Sequence, residues 1–335
     1  MTNTHLPAFG ICGFSGSGKT SLIAELASRL NSRGLKIAVI KHAPHGFDVA
    51  GAEKDSDRCF RGGADILLAG QGGSLFWIHK TESLIENLAR LAPEYDLILV
   101  EGFKSVPLPR KVWLGNSCPP EVGSVTCTLA PNVDRIGIAM NMVTDWLDHL
   151  ATSTPVCAGI LFGGASTRMG EPKHLIRRKG ITSLEHAVKA LAPAVQEVIL
   201  LGGGEIPTPL KSLVVLPDVK DKQGPLAGML AAMRWNPLAS WLFAACDLPN
   251  LSTEAIRWLL SIRTAGVWAT MPRLQGAVGV EPLLAHYDYR ARLPLEHCLR
   301  PSEIAQMPQV RQPTPPAEIA QAWLNVNTPA DLTHI

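Results

Sequence analysis

Two glycine-rich loops, each followed by cations, carry the residues best suited to phosphate chemistry. The first, Gly13-Phe14-Ser15-Gly16-Ser17-Gly18-Lys19-Thr20, fits G-x-x-x-x-G-K-[ST] at every position. In such a loop the backbone N–H groups cradle phosphate oxygens, Lys19 reaches the β and γ oxygens, and Thr20 offers a hydroxyl to Mg²⁺. The second runs from Gly163-Gly164 through Arg168 to Lys173. Adjacent glycines let the backbone come close to a ligand and turn N–H groups towards anionic oxygens. Arg168 and Lys173 add two cations, which suits a nucleotide phosphate that must lose charge before it is attacked.

Carboxylates at strand ends complete both sets. The apolar run Tyr95–Val100 is tipped by Glu101, the form of a Walker B segment. Glu101 stands where Asp is commoner, so direct Mg²⁺ ligation and activation of water both remain open. The run Trp241–Cys246 ends in Asp247, which would face the ligand crevice of an open α/β sheet and hold Mg²⁺ against phosphates. Cys246 has no His companion and reads as a small buried residue, not a nucleophile. Asp218 opens a turn-rich loop, where it offers a carboxylate to a base or ribose, and Gly224 lets the chain pass close to a nucleotide. His42 and His45 have a spacing that could suit metal ligation, but no third His or Cys lies nearby. Pro44 between them favours a polar loop beside the phosphates instead. Asp48 and Asp55 are candidates for water-mediated contacts to Mg²⁺.

These residues need strands and helices to hold them. Ala8–Cys12 reads as a strand, and Leu22, Ile23, Leu26, Ala27 and Leu30 recur at helical spacing before Gly34. Strands follow at Leu35–Ile40, Asp65–Ala69 and Leu75–His79, with a helix at Glu82–Leu91. A strand at Arg135–Ala139 and a helix around Trp146–Leu150 close this half. Residues 151–155, polar and ended by Pro155, make the linker. Beyond it, Val156–Phe162 has the bulk of a buried parallel strand. Thr182 and Glu185 form a capping box opening a helix through Ala190. Val198–Leu201 is a strand, and a helix runs from Gly228 towards Trp235. Pro301–Ala317 reads as loop. Thr328 and Pro329 start a last helix, leaving Asn325 and Asn327 on one side of a strand end. The alternation gives two α/β domains, 1–150 and 156–335, with mostly parallel sheets and helices on both faces.

Composition narrows the partners. The 335 residues are 46% hydrophobic and 18% charged, enough for two cores, and the net charge of +2 gives no reason to expect a nucleic-acid groove or an anionic membrane surface. Seven scattered cysteines without a Cys-x-x-Cys pair argue against a disulfide framework and suit a reducing, cytoplasmic setting. No signal peptide is visible, and no apolar run approaches the ~18 residues that span a bilayer. The sequence is compatible with an oligomer.

The loop from Gly163 to Lys173 resembles the signature loop of the molybdenum cofactor nucleotidyltransferases, above all the guanylyltransferase. Asp218-x₅-Gly224-Pro225-Leu226-Ala227-Gly228 is similar to that family's pattern and favours guanine. Phe162 departs from it, standing where a small residue is usual, a change expected to alter the floor of the base pocket. The P-loop, Lys41-His42, Lys54-Asp55-Ser56 and Val100–Lys104 resemble the GTP-binding adaptor protein of molybdopterin-guanine dinucleotide biosynthesis, with Ala52-Glu53 where that family has Pro-Gly. The resemblance implies a P-loop NTPase-like first domain that binds GTP, hydrolyses it slowly and assists. It implies a Rossmann-like nucleotidyltransferase second domain that joins GMP from GTP to the terminal phosphate of molybdenum-bound molybdopterin, releasing pyrophosphate. Lys173 and Arg168 would neutralise the triphosphate and Asp247 would hold Mg²⁺. Leu161, Gly163, Gly164, Asp218, Gly224 and Leu226 would shape the nucleotide pocket, and Asn325 and Asn327 would bond the pterin. A molybdoenzyme or chaperone would receive the product. Three alternatives remain: a cytidylyl- or sugar-phosphate nucleotidyltransferase, a GTP-binding docking module, and a P-loop kinase, which leaves the second half unexplained.

Overall fold

The structure is a computed structural model in which residues 6–43, 59–71, 73–77, 79, 82–163, 172–178 and 180–325 are described. The chain divides into two compact units. The first comprises Met1–Glu25, Ala38–Ala92 and Ile98–Ile136; the second comprises Leu26–Ile37, Pro93–Leu97 and Gly137–Ile335.

The first sheet is built from β1 (Ala8–Gly13), followed by helix α1 (Lys19–Asn31), and β2 (Ile37–Lys41). A separate antiparallel hairpin, β3 (Ile66–Gly70) and β4 (Gly73–Trp77), precedes helix α2 (Leu84–Leu91). Strands β5 (Leu97–Glu101), β6 (Arg110–Leu114) and β7 (Cys127–Leu129) complete a sheet of order β2-β5-β1-β6-β7. β1 and β5 are buried along their whole length, as parallel strands covered on both faces must be. Their parallel register sets Ile11 opposite Glu101, so the carboxylate emerges beside the P-loop's first residue. The loops beyond Glu101 are pinned by Lys111, whose buried ammonium donates to the carbonyls of Lys104, Val106 and Gly123. Burial without a carboxylate pushes its pKa down.

Helix α3 (Arg135–Ser153) corrects two expectations at once. The strand expected at Arg135–Ala139 is its first turn, and the short helix at 146–150 is its end. Ala139, Met140, Val143, Trp146, Leu147 and Leu150 are buried at three- and four-residue spacing. That period is visible only over the full window, whereas Ile136 and Ile138 alone mimic a strand. Because α3 reaches Ser153, three of the five expected linker residues are helical.

The second sheet starts with β8 (Val156–Phe162). The small hairpin β9 (Arg177–Arg178) and β10 (Ile181–Thr182) leads into helix α4 (Ser183–Leu191), whose capping box is formed as expected. Both the backbone N–H and the hydroxyl of Thr182 donate to Glu185, which holds that carboxyl below its usual range. Next come β11 (Glu197–Gly202), β12 (Val215–Leu216), helix α5 (Pro225–Trp235), β13 (Ser240–Ala245) and helix α6 (Thr253–Ser261). Strands β14 (Ala269–Thr270) and β15 (Leu284–Tyr287), the short helix α7 (Arg292–Glu296) and β16 (Val310–Arg311) follow. The order is β12-β11-β8-β13-β15-β14-β16. β12, β11, β8 and β13 are parallel, while β15 runs antiparallel to both β13 and β14. Alternate residues of β8 feed two cores: Ala158, Ile160 and Phe162 pack with α4 and α6, and Cys157 packs with α5. Pro301–Ala317 is not all loop, since it holds a 3₁₀ segment at Pro301–Gln306 and β16. Among the described residues no helix is long and apolar enough to cross a membrane.

Candidate active site

The P-loop sits where strand, loop and helix were expected. Gly16 and Gly18 adopt φ of 73° and 90°, the left-handed region that glycine occupies most freely. Lys19 Nζ folds over the loop and donates to the Phe14 carbonyl at 2.7 Å. The Thr20 hydroxyl donates to both Glu101 oxygens at 3.3 Å, and Lys41 Nζ lies 3.6 Å from the same carboxylate. Ser15 is exposed, while the Ser17 hydroxyl is buried and has no partner among the described residues. A Cβ on Gly13 would meet Ser17 Oγ at 2.5 Å, so that side chain closes over the strand end. Arg135 was missed in the sequence. Its Nη1 donates to the Ser17 carbonyl at 2.9 Å and its Nε to Ala130, bracing the loop from 118 residues away. No local pattern announces such a contact. His42 stacks near Phe103 with centroids 4.7 Å apart. Among the described residues no group of three or more His, Cys, Asp or Glu is placed to hold a metal. His45, Asp48 and Asp55 lie outside the described residues.

The second site forms at a reversal of strand order. From β8 the chain moves outward to β11 and β12, then resumes with β13 on the opposite side, and ligands favour such switch points. The Cys246 N–H donates to the Leu161 carbonyl at 3.1 Å, extending the β8–β13 pairing to the edge. Asp247 therefore follows directly at the carboxyl end, next to Gly163. Lys173 Nζ reaches Asp247 Oδ2 at 2.8 Å, with the two side chains 24% and 20% exposed. Cys246 is buried, and desolvation, with the Asp247 charge adding, pushes its thiol up to about 12. A thiol so reluctant to ionise is no nucleophile at neutral pH.

The floor of this site is backbone. Gly163 has φ of 91°, and a Cβ there would lie 2.1 Å from the Gly203 carbonyl oxygen. Gly202 likewise faces the Phe162 carbonyl. Phe162 is buried and meets His174 edge-on at 5.3 Å, while His174 Nε2 lies 3.0 Å from the Glu205 carbonyl. Phe162 thus anchors the residue next to Lys173, and its burial in the α4 and α6 core does not fit the expected change to the base-pocket floor. Across the sheet edge, Gly224 (φ 60°) starts α5. A Cβ on Gly228 would meet Leu161 Cδ2 at 2.7 Å and Asp218 Oδ1 at 3.2 Å. Leu161 and Asp218 therefore close over the first turn of α5. Asp218 stays open to solvent overall, yet partial burial of its carboxyl raises its pKa above the ordinary value. Leu226 is fully buried with Met229 and Leu230 and supports this wall from behind.

Gly164, Arg168 and Asn327 lie outside the described residues. Asn325 is exposed and follows the 3₁₀ turn Ala320–Trp323, not a strand, which corrects its expected setting. Trp323 ends that turn because its ring is buried and its Nε1 donates to the Leu284 carbonyl at 2.8 Å. The oxygen donors at both centres fit Mg²⁺. That ion binds through one or two carboxylates plus substrate phosphates, and each centre offers a carboxylate, Glu101 with the Thr20 hydroxyl or Asp247 alone.

Residues 158–307 match the family model described as MobA-like NTP transferase domain, and residues 8–120 match that of molybdopterin guanine dinucleotide synthesis protein B. A probable molybdenum cofactor guanylyltransferase of Bacillus mycoides is 37% identical over 142 residues, covering 41% of this chain and 70% of the relative. A protein of the same description from Bacillus cereus is 34% identical over 138 residues, covering 40% and 68%. The solved structure of molybdopterin-guanine dinucleotide biosynthesis protein A from Archaeoglobus fulgidus is 23% identical, with a TM-score of 0.43, over 53% of this chain and 95% of that one. The chain belongs to the molybdenum cofactor guanylyltransferase family, with its nucleotidyltransferase domain in residues 158–307 and a synthesis protein B domain in residues 8–120.

Proposed function

We propose that the second half transfers the GMP part of GTP to the terminal phosphate of molybdenum-bound molybdopterin, and that the P-loop half binds and slowly hydrolyses GTP in support. The observation that carries the reading is the Lys173–Asp247 pair at the β8–β13 switch point, beside a floor of glycine backbone. An oxygen of the acceptor phosphate attacks the α-phosphorus, the bond to the β-phosphate breaks, and pyrophosphate leaves. The attacking group is already anionic, so no general base is needed and the barrier is charge crowding. Lys173 neutralises the triphosphate as charge shifts to the leaving group. Gly163 and Gly202 keep side chains away from it, while Leu161, Asp218 and the start of α5 hold the nucleoside. Asp247 would hold Mg²⁺, which when bound would supply further positive charge to the phosphates. Residues 151–155 remain our proposed domain boundary.

A competition assay tests this reading. With Mg²⁺, molybdenum-loaded molybdopterin and equal GTP and CTP, we expect GMP alone in the product. CMP would overturn the base assignment, and no product from competent acceptor would overturn the transfer itself. The two halves separate by mutation: Lys19→Ala removes the P-loop lysine expected to reach the β and γ oxygens of bound GTP. We expect GTP hydrolysis by the full chain to fall by about 100-fold or more, as for loss of one strong transition-state contact, with GMP transfer retained. Undiminished hydrolysis would place the activity elsewhere.

A further inference from the structure

A cavity of about 190 Å³ is bounded by Arg178, Ile181, Thr182, Ser183, His186, Leu248, Pro249 and Asn250. Its two walls leave directly from the two members of the Lys173–Asp247 pair. One is the β9–β10 hairpin and α4 start, which follow Lys173; the other is the segment immediately after Asp247. Among the described residues no carboxylate lines it, and Arg178 is the one residue there with a permanent charge. The hydroxyls of Thr182 and Ser183 are already engaged, donating to Glu185 and to the Ile176 carbonyl. The side chains of Arg178 and Asn250, by contrast, have no hydrogen-bond or ion-pair partner among the described residues. His186 does not offset the guanidinium: burial first, then the nearby Arg178 and Lys189 charges, lower its pKa, against the opposing pull of the Leu251 carbonyl. Burial thus favours the neutral imidazole, and among the described residues Arg178 is the cation that faces the cavity.

We propose that this cavity is a phosphate subsite and that Arg178, assisted by the Asn250 amide, binds the terminal phosphate of the acceptor and positions it for attack. A guanidinium matches a phosphate monoester with two parallel N–H···O bonds, and an amide donor adds a third. The reaction needs a second phosphate brought beside the one held at Lys173 and Asp247, and the segments that line the cavity follow those two residues in the chain. This assignment rests on the transfer reaction proposed above. The same chemistry would also suit the departing pyrophosphate, and the kinetics separate the two.

The full chain would be compared with Arg178→Gln and Arg178→Lys, with circular dichroism as a folding control for this half-exposed hairpin residue. For Arg178→Gln we expect the acceptor KM to rise about tenfold to thirtyfold, the worth of a charged hydrogen bond, with GTP KM and pyrophosphate inhibition unchanged. Arg178→Lys should recover part of the loss. A shift in pyrophosphate inhibition without a change in acceptor KM would overturn the acceptor assignment. A second readout avoids turnover: calorimetric titration of phenyl phosphate into protein saturated with a non-hydrolysable GTP analogue. We expect millimolar binding to the wild type and at least tenfold weaker binding to Arg178→Gln. Equal binding, or none to the wild type, would overturn the subsite. Binding sensitive to Arg178 without any GMP transfer would keep the subsite and sink the proposed reaction.

Discussion

Replacing Lys173 by Ala should lower kcat for the proposed GMP transfer by about 10³-fold, a larger effect than its cost to the fold. The two effects differ because the lysine makes different contacts in each process. In folding it pairs with the Asp247 carboxylate, and the two side chains keep 24% and 20% of their surface exposed. Breaking a partly buried pair of this kind costs about 1–2 kcal/mol, between the surface and fully buried limits. In the proposed transfer it would face charge that grows as the α–β bond breaks, where loss of one aligned donor costs about 3–4 kcal/mol. An interaction made only in the transition state should lower kcat and kcat/KM together. Steady-state pyrophosphate release and thermal denaturation of the same preparation decide it. A rate within threefold of wild type would remove Lys173 from the mechanism. A large fall in Tm would make it a structural residue instead.

Why was that pair half legible? Each member advertised itself locally: Lys173 by a glycine-rich loop, Asp247 by an apolar strand that ends in an acid. Their meeting, across 74 residues, depends on the order of strands, which no window of sequence contains. The P-loop was easier, because strand, loop and helix are contiguous and the glycines declare the backbone conformation. Arg135 shows the opposite limit, since an arginine at the start of a helix carries no mark of the distant carbonyl it braces. The antiparallel edge of the second sheet was hidden for another reason. Strands of two residues such as β14 and β16 have too little pattern to alternate, and pairing with β15 and with each other creates them. The bulk of Phe162, where the resembling family has a small residue, suggested a changed base-pocket floor, whereas strand alternation turns it into the core with Ile160.

Two glycines of the second unit support a sharper test, because they share a backbone sign but have different surroundings. Gly163 has φ of 91° and Gly180 has φ of 87°. An alanine at either must adopt the left-handed region, at a cost of about 1–2 kcal/mol. At Gly180, in the β9–β10 turn, a Cβ would meet nothing within 4 Å, so the strain is the whole effect. At Gly163 the Cβ would lie 2.1 Å from the Gly203 carbonyl oxygen, which belongs to backbone and cannot rotate away. Relief requires the ends of β8 and β11 to part, although both strands are buried in the centre of the sheet. We expect Gly163→Ala to destabilise the protein by about 3 kcal/mol or more, a Tm fall of roughly 6–12 °C for a unit of this size. Gly180→Ala should lose only the strain, about 1–2 kcal/mol. The parting would also widen the switch point from which Asp247 and Lys173 address the phosphates, so residual folded Gly163→Ala should transfer GMP poorly. If both variants melt alike, the close approach of β8 and β11 is not what the glycine serves. If Gly163→Ala is stable but inactive, the glycine serves the ligand and not the sheet.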